Sequence, residues 1–171
     1  GVNADPLRYP DYRNAIVQRV QDGGKVWVEG GEVGYDYRYT TSELDINFRQ
    51  NILRDSTWHA DNSAGNLTFA ISDHPIFNNP NTLSAPITFT SRTSWADRDA
   101  MTMLEVPGLV AVGSWSAQTT STSIMTWSPD EDPSHCQTLF TTFAVGSITD
   151  STVAKGLIEN CVSFVINGGA V

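Results

Sequence analysis

The residues with the clearest chemical potential form a tight glycine-rich turn, Gly30-Gly31-Glu32-Val33-Gly34. The turn follows a short apolar run, Val26 to Val28, which is typical of a buried strand. Its glycine spacing is that of a nucleophile elbow, in which the nucleophile stands between two glycines at the carboxyl end of a strand. Here Glu32 holds that position and could act as a general base or bind a cation. Alternatively, its carboxylate accepts hydrogen bonds from backbone amides of the turn.

The histidines supply the candidate partners of Glu32. A hydrolase would use Glu32 with His59 or His74, because general acid–base catalysis needs a titratable side chain within reach of the reacting atoms. His59 lies in a polar segment with Asp61, whereas His74 precedes Pro75. A histidine before proline is also typical of a helix start that is bonded to the backbone. No two histidines have a known metal-ligand spacing, so we predict neither a metal site nor a cofactor.

Two further groups of residues could bind ligands. The acidic segment 130–132 could hold calcium, but it lacks the spacing of a calcium loop and favours a solvated turn. Trp58, Trp95, Trp115 and Trp127 could stack on sugars in a carbohydrate-binding module. That function requires several exposed tryptophan faces in a row, whereas buried tryptophans would indicate a role in the core.

The composition is that of a folded domain with an acidic surface. The chain has 171 residues, of which 40% are hydrophobic and 17% charged, so we treat residues 1–171 as a single domain with its own core. The net charge is −9, and lysine occurs only at positions 25 and 155. No basic patch is available to displace phosphate counterions, which argues against a nucleic-acid partner. No uncharged run is apolar enough to span a bilayer. The abundance of Thr, Ser, Asn and Asp favours a secreted or cell-surface location.

The chain contains two cysteines, Cys136 and Cys161, whose spacing matches no zinc motif. They are either two buried thiols or one disulfide that closes a long loop, as an extracellular location would permit.

Helices are predicted at both ends of the chain, with strands between them. One predicted helix is opened by Pro10-Asp11 and stopped by Gly23-Gly24. The others are Ser42 to Arg54, and Thr152 to Ile166, capped by Asp150 or Ser151. The predicted strands are Lys25 to Glu29, Asn66 to Ile71, Ile87 to Thr90, Leu109 to Trp115, Ser123 to Trp127 and Gln137 to Val145. Asp55 to Gly65 is predicted to be a polar loop. A helix followed at once by a buried strand is half of a βαβ unit, and this arrangement favours an α/β fold.

Several segments together resemble the class I glutamine-amidotransferase-like (flavodoxin-like) domains of large secreted bacterial proteins. The matching segments are Gly23 to Tyr35, Asn47 to Leu53, Asp73 to Ile76, Gln137 to Phe143 and Leu157 to Asn160. The resemblance implies a three-layer sandwich with a mostly parallel central sheet that lacks the first βα segment of such a domain. It also implies that an upstream fragment or another chain completes the sheet at its unpaired edge.

The chain departs from this family where its catalysis would take place. A working amidotransferase needs a cysteine at the elbow and a histidine after a late strand, because a thiolate attacks the amide carbon with histidine as base. Glu32 replaces that cysteine, and no histidine follows Phe143 closely. The resemblance therefore predicts a non-catalytic domain of a secreted or cell-surface protein, with a structural or a ligand- or partner-binding role.

Overall fold

The computed structural model of the protein describes residues 6–34, 42–61, 65–90 and 98–168. The helices are α1 (Pro10–Gln21), α2 (Glu43–Phe48), α3 (Pro75–Asn78) and α4 (Ser151–Asn167). The strands are β1 (Val26–Glu29), β2 (Asp55–Asp61), β3 (Leu67–Phe69), β4 (Asp99–Met103), β5 (Leu109–Trp115), β6 (Thr122–Trp127) and β7 (Thr138–Thr141). A π-helical turn, Arg49–Leu53, continues α2. Within the described ranges, no helix combines the length and hydrophobicity that crossing a bilayer requires.

The strands form one mixed sheet, and the prediction of a mostly parallel, flavodoxin-like sandwich is wrong. The strand order is β1-β7-β6-β4-β2, with β5 also paired to β6 and β3 paired to β5. Only the β1–β7 pair is parallel, whereas the other named pairs are antiparallel. The connection between β5 and β6 spans residues 116–121 and is too short for the crossover that parallel strands need. The helix–strand pattern at the start of the chain correctly describes β1, but it does not extend to the rest of the sheet.

The prediction also fails at β2 and at Ile87 to Thr90. The segment predicted as a polar loop contains β2, which pairs with β4 through two register shifts. β2 stands at one end of the strand order and exposes Ser56, Thr57 and His59, so its composition resembles that of a loop. The predicted strand at Ile87 to Thr90 is reduced to isolated bridges at Ile87 and Phe89.

Other predicted elements are confirmed. Helix α1, strand β1 and strand β5 lie where the pattern placed them. Helix α4 begins at its predicted cap, because the Asp150 carboxylate accepts hydrogen bonds from the Thr152 and Val153 amides at 2.8 and 3.3 Å.

The buried apolar side chains form two clusters, one on each face of the sheet. Successive side chains of a strand point to opposite faces, and on β7 Leu139 belongs to the first cluster while Phe140 belongs to the second. The first cluster includes Leu157 of α4, and the second includes Val17 of α1. Helices therefore cover both faces of the sheet. β1 lies at one end of the strand order.

Candidate functional site

The predicted glycine-rich turn exists at the carboxyl end of β1. The strand ends at Glu29, residues 30–32 bend, and the backbone becomes helical at Val33. The Gly30 amide donates a hydrogen bond to the Thr141 carbonyl at 3.2 Å, which holds the turn beside the end of β7. The parallel pair thus brings the carboxyl ends of both strands to one edge, where side chains of α/β proteins commonly bind ligands.

The two glutamates of this turn are involved in contacts within the chain. One oxygen of Glu29, Oε1, accepts a hydrogen bond from the Val145 amide at 2.6 Å. Val145 is buried and begins the 3₁₀ turn Val145–Ser147, so Glu29 joins β1 to the segment that follows β7. Glu32 is half-buried and also interacts within the protein. Whether Glu32 holds the turn through its backbone amides stays a prediction.

Sequence reasoning missed a buried carboxylate, Asp99, that lies beside this turn. The side chain is fully buried, and its Oδ1 accepts a hydrogen bond from Trp58 Nε1 at 2.8 Å. A Cβ added to Gly34 would lie 3.1 Å from Asp99 Oδ2 and 1.9 Å from Met101 Cε, so Gly34 permits this close approach.

The backbone of Asp99 is also hydrogen-bonded to side chains of other strands and loops. Its carbonyl accepts hydrogen bonds from Thr142 Oγ1 at 2.7 Å and from Trp115 Nε1 at 3.0 Å. No residue spacing around Asp99 resembles a known motif, so no sequence signal could have identified it.

The hydrogen bonds of the two candidate histidines go to residues other than Glu32. His59 is exposed on β2, and its Nε2 bonds to Thr102 Oγ1. His74 caps α3, and its Nδ1 accepts a hydrogen bond from the Ile76 amide at 3.2 Å. The His74 ring also lies 4.8 Å from the ring of Phe164 on α4. The predicted helix-start role of His74 is confirmed.

Burial keeps His74 neutral at physiological pH. It lowers the pKa of His74 to about 4, and the neighbouring Asp73 carboxylate offsets only part of that effect. A neutral ring is needed for the cap, because Nδ1 can accept the Ile76 amide only when it carries no proton.

Both cysteines are free thiols inside the protein, which confirms the interpretation as two buried thiols over the disulfide. Burial raises the pKa of Cys136 to about 11, and burial together with the Glu29 charge raises the pKa of Cys161. Because the thiolate is the nucleophilic form, neither sulfur is activated for attack.

The side chains of the acidic segment 130–132 form hydrogen bonds with neighbouring residues of the same turn. Asp130 Oδ2 lies 2.5 Å from His135 Nδ1, and Asp132 Oδ1 accepts the Ser134 amide at 2.9 Å. The hydrogen bond with His135 lowers the pKa of Asp130, and the same bond raises the pKa of His135. Across the described residues, no three His, Cys, Asp or Glu side chains are grouped so that they could hold a metal ion.

The described tryptophans bond to the fold through their indole nitrogens. Besides Trp58 and Trp115, which bond to Asp99, Trp27 donates to Thr141 Oγ1 at 3.2 Å and Trp127 donates to the Pro107 carbonyl at 3.1 Å. Trp115 is fully buried, and Trp58 and Trp127 are half-buried. Trp95, the remaining predicted sugar-stacking residue, lies outside the described residues.

Comparison with protein families, with curated proteins and with solved structures finds no match to this chain. The resemblance to amidotransferase-like domains therefore has no independent support, and functional inference depends on the geometry of the site.

Proposed function

We propose that this protein is a non-catalytic binding domain, in which the polar groups near the glycine turn stabilise the fold. The observation that carries the proposal is the hydrogen bond from the Val145 amide to Glu29, at 2.6 Å. A carboxylate that accepts a buried backbone amide at the end of a strand acts as a structural link. Asp99, next to Gly34, is likewise buried and bonded within the chain, to Trp58.

A hydrolase that uses Glu32 with His59 or His74 receives less support. Such an enzyme needs a histidine nitrogen within hydrogen-bonding distance of the group that it activates. The ring of His59 bonds to Thr102, and His74 accepts a hydrogen bond at the start of α3. The thiols offer no alternative nucleophile, because burial raises the pKa of Cys136 and of Cys161.

The binding role is assigned to the outer edge of β1, where a strand of another chain would extend the sheet. The Val26 and Gly30 amides donate to Gln137 and Thr141 on the β7 side. Alternation along a strand then directs the N–H and C=O groups of Trp27 and Glu29 away from β7. A partner strand would bond to those groups, as in other cases of β-strand addition. We also retain a secreted or cell-surface location as part of the proposal, supported by the abundance of Thr, Ser, Asn and Asp.

The proposed lack of catalytic activity is tested by hydrolysis assays with glutamine and with a chromogenic ester. We expect no turnover above the buffer rate and no difference between the wild type and Glu32→Ala. Turnover that disappears in Glu32→Ala would refute the proposal and support the hydrolase.

The edge of β1 is tested by hydrogen exchange at single-residue resolution. We expect the Trp27 and Glu29 amides to exchange faster than those of Val26 and Val28, since only the latter donate to β7. Equal protection of all four amides would mean that the chain itself covers this edge, and the docking site would then have to be abandoned.

A further inference from the structure

Arg54 has an unusual backbone conformation for an arginine. It immediately follows the π-helical turn Arg49–Leu53 and has φ 53° and ψ 30°, in the left-handed region. A π-helical turn and a left-handed residue other than glycine are both uncommon and both occur more often at functional sites. The conformation positions the Arg54 side chain against the sheet, where the residue is only 7% exposed.

The charge of Arg54 is buried, and no carboxylate of the described residues forms an ion pair with it. Within the described residues, its guanidinium makes one long hydrogen bond, from Nη1 to the Gln50 carbonyl at 3.4 Å. Nε is sealed from solvent and has no partner there. The adjacent carboxylate, Asp55, bonds instead to Arg49 Nε through both oxygens, at 3.0 and 2.9 Å. Burial lowers the pKa of Arg54 to about 10.

A second unsatisfied polar group lies on the same face of the sheet. The Arg54 guanidinium stacks on Trp127, 3.6 Å from the ring centroid. Trp127 of β6 is directly opposite Thr138 of β7, and side chains of directly opposed residues share a face. Thr138 is fully buried, and its Oγ1 has no hydrogen-bond partner in the described part of the chain. Arg54 and Thr138 thus both contribute an unpaired donor beside Trp127.

We propose that Arg54 and Thr138 bind a small oxyanion, a carboxylate or a phosphate, beside the ring of Trp127. The Nε–Nη2 side of a guanidinium matches two oxygens of such an anion, and the threonine hydroxyl supplies a third donor. An anion here would neutralise a buried cation whose desolvation is offset in the described residues only by the Gln50 carbonyl and the Trp127 ring. Because Nε is covered in the structure, the occupant must be small, and the Arg54 side chain must shift as it binds. The proposal of an anion site does not depend on the proposed binding role of the β1 edge.

The site is tested with inorganic phosphate and with acetate, using calorimetry and thermal unfolding at a constant ionic strength set with sodium chloride. Arg54→Gly removes the guanidinium and suits the left-handed backbone. Thr138→Val removes only the hydroxyl at nearly constant volume. Arg8→Gln, which changes an exposed arginine, is the control for net charge.

We expect at least one of the two anions to bind the wild type. Arg54→Gly should weaken its binding by at least about tenfold, because hydrogen bonds to a charged group contribute strongly. Thr138→Val should weaken it by about fivefold, and Arg8→Gln should bind as the wild type does. Comparison of the two anions distinguishes a carboxylate site from a phosphate site.

The proposal is overturned if neither anion binds, or if Arg54→Gly and Thr138→Val both bind as tightly as the wild type. If Arg54→Gly fails to fold, Arg54→Lys keeps the charge but removes the planar fork. Binding that is unchanged in both Arg54→Lys and Thr138→Val would equally overturn it.

Discussion

The glycine turn after β1 and the surroundings of Trp127 differ in how their polar groups are satisfied. At the turn, Glu29 accepts the Val145 amide and Asp99 accepts the Trp58 indole. Beside Trp127, Arg54 Nε and Thr138 Oγ1 are buried without a partner among the described residues. Buried polar groups in folded proteins are nearly always paired, so an unpaired group needs an explanation.

This difference separates residues that stabilise the fold from residues that await a ligand. The turn contains residue types associated with catalysis, yet Glu29 and the neighbouring Asp99 form hydrogen bonds with other groups of the same chain. The pair beside Trp127 resembles no catalytic motif, yet it presents donors for which the described chain provides no acceptor. In this protein the unsatisfied group is therefore the better guide to a binding site.

The largest expected effect comes from crowding the glycine turn. Gly34→Ala would place a Cβ 1.9 Å from Met101 Cε and 3.1 Å from Asp99 Oδ2, and both of these residues are fully buried. Overpacking of this kind should lower the free energy of unfolding by about 2–3 kcal/mol, measured by urea denaturation. Gly146→Ala is the control, because nothing lies within 4 Å of a Cβ added there. Equal losses in the two variants would contradict the close packing of the turn.

A pH titration extends the comparison to His74. Its pKa is about 4 in the folded protein and 6.5 when unperturbed, so the unfolded chain binds more protons between these values. The contribution of neutral His74 to the free energy of unfolding should be fully present above pH 6.5. It should be lost as the pH falls toward 4. Allowing for partial exposure, we expect a loss of about 2 kcal/mol. Unfolding free energies at pH 7 and pH 4 measure it.

The control for this titration is His74→Asn, because asparagine can keep the cap but cannot be protonated. The variant should lose less stability than the wild type over the same range. An identical loss would mean that other groups account for the acid sensitivity.

Removing the link made by Glu29 should have a smaller effect. Glu29→Ala leaves the buried Val145 amide without its acceptor, which should lower the free energy of unfolding by about 1–2 kcal/mol. Glu29→Gln retains an acceptor and should recover part of the loss. If both variants are as stable as the wild type, the structural role assigned to Glu29 is wrong.

The smallest expected change has the opposite sign. Thr138→Val removes an unpaired buried hydroxyl and should raise the free energy of unfolding in the absence of anions by about 0.5–1 kcal/mol. Thr142→Val is the matched control, because the buried Thr142 hydroxyl donates to the Asp99 carbonyl at 2.7 Å, and this variant should lose stability. Destabilisation of similar size in both variants would show that Thr138 is satisfied in the apo protein.

The parts of the fold that could be predicted have strong local signals. β1 is an apolar run followed by glycines, and α4 has an aspartate cap before an apolar helix. Strand direction and order could not be predicted in the same way, because they depend on pairings between distant segments such as β1 and β7. β2 was missed because its exposed face is polar and its register shifts interrupt the alternation.

The candidate site could be predicted only in part, for a related reason. The glycine turn is contiguous, and the apolar run followed by glycines correctly predicts a turn at the end of β1. Its function could not be read from spacing, since the amide bonded by Glu29 comes from Val145, far along the chain. Arg54 and Thr138 are each placed beside Trp127, one by its left-handed backbone and the other by the sheet register, and neither feature has a sequence signature.

The most direct test of this account measures the stabilisation by the binding anion, phosphate or acetate, in the wild type, Glu29→Gln and Arg54→Gly. A ligand that binds only the folded state raises the free energy of unfolding according to its affinity. We predict that Glu29→Gln is less stable than the wild type but gains as much from the anion, whereas Arg54→Gly folds and gains little or nothing. A full gain in Arg54→Gly, or its loss in Glu29→Gln, would contradict the separation of a structural turn from a binding site.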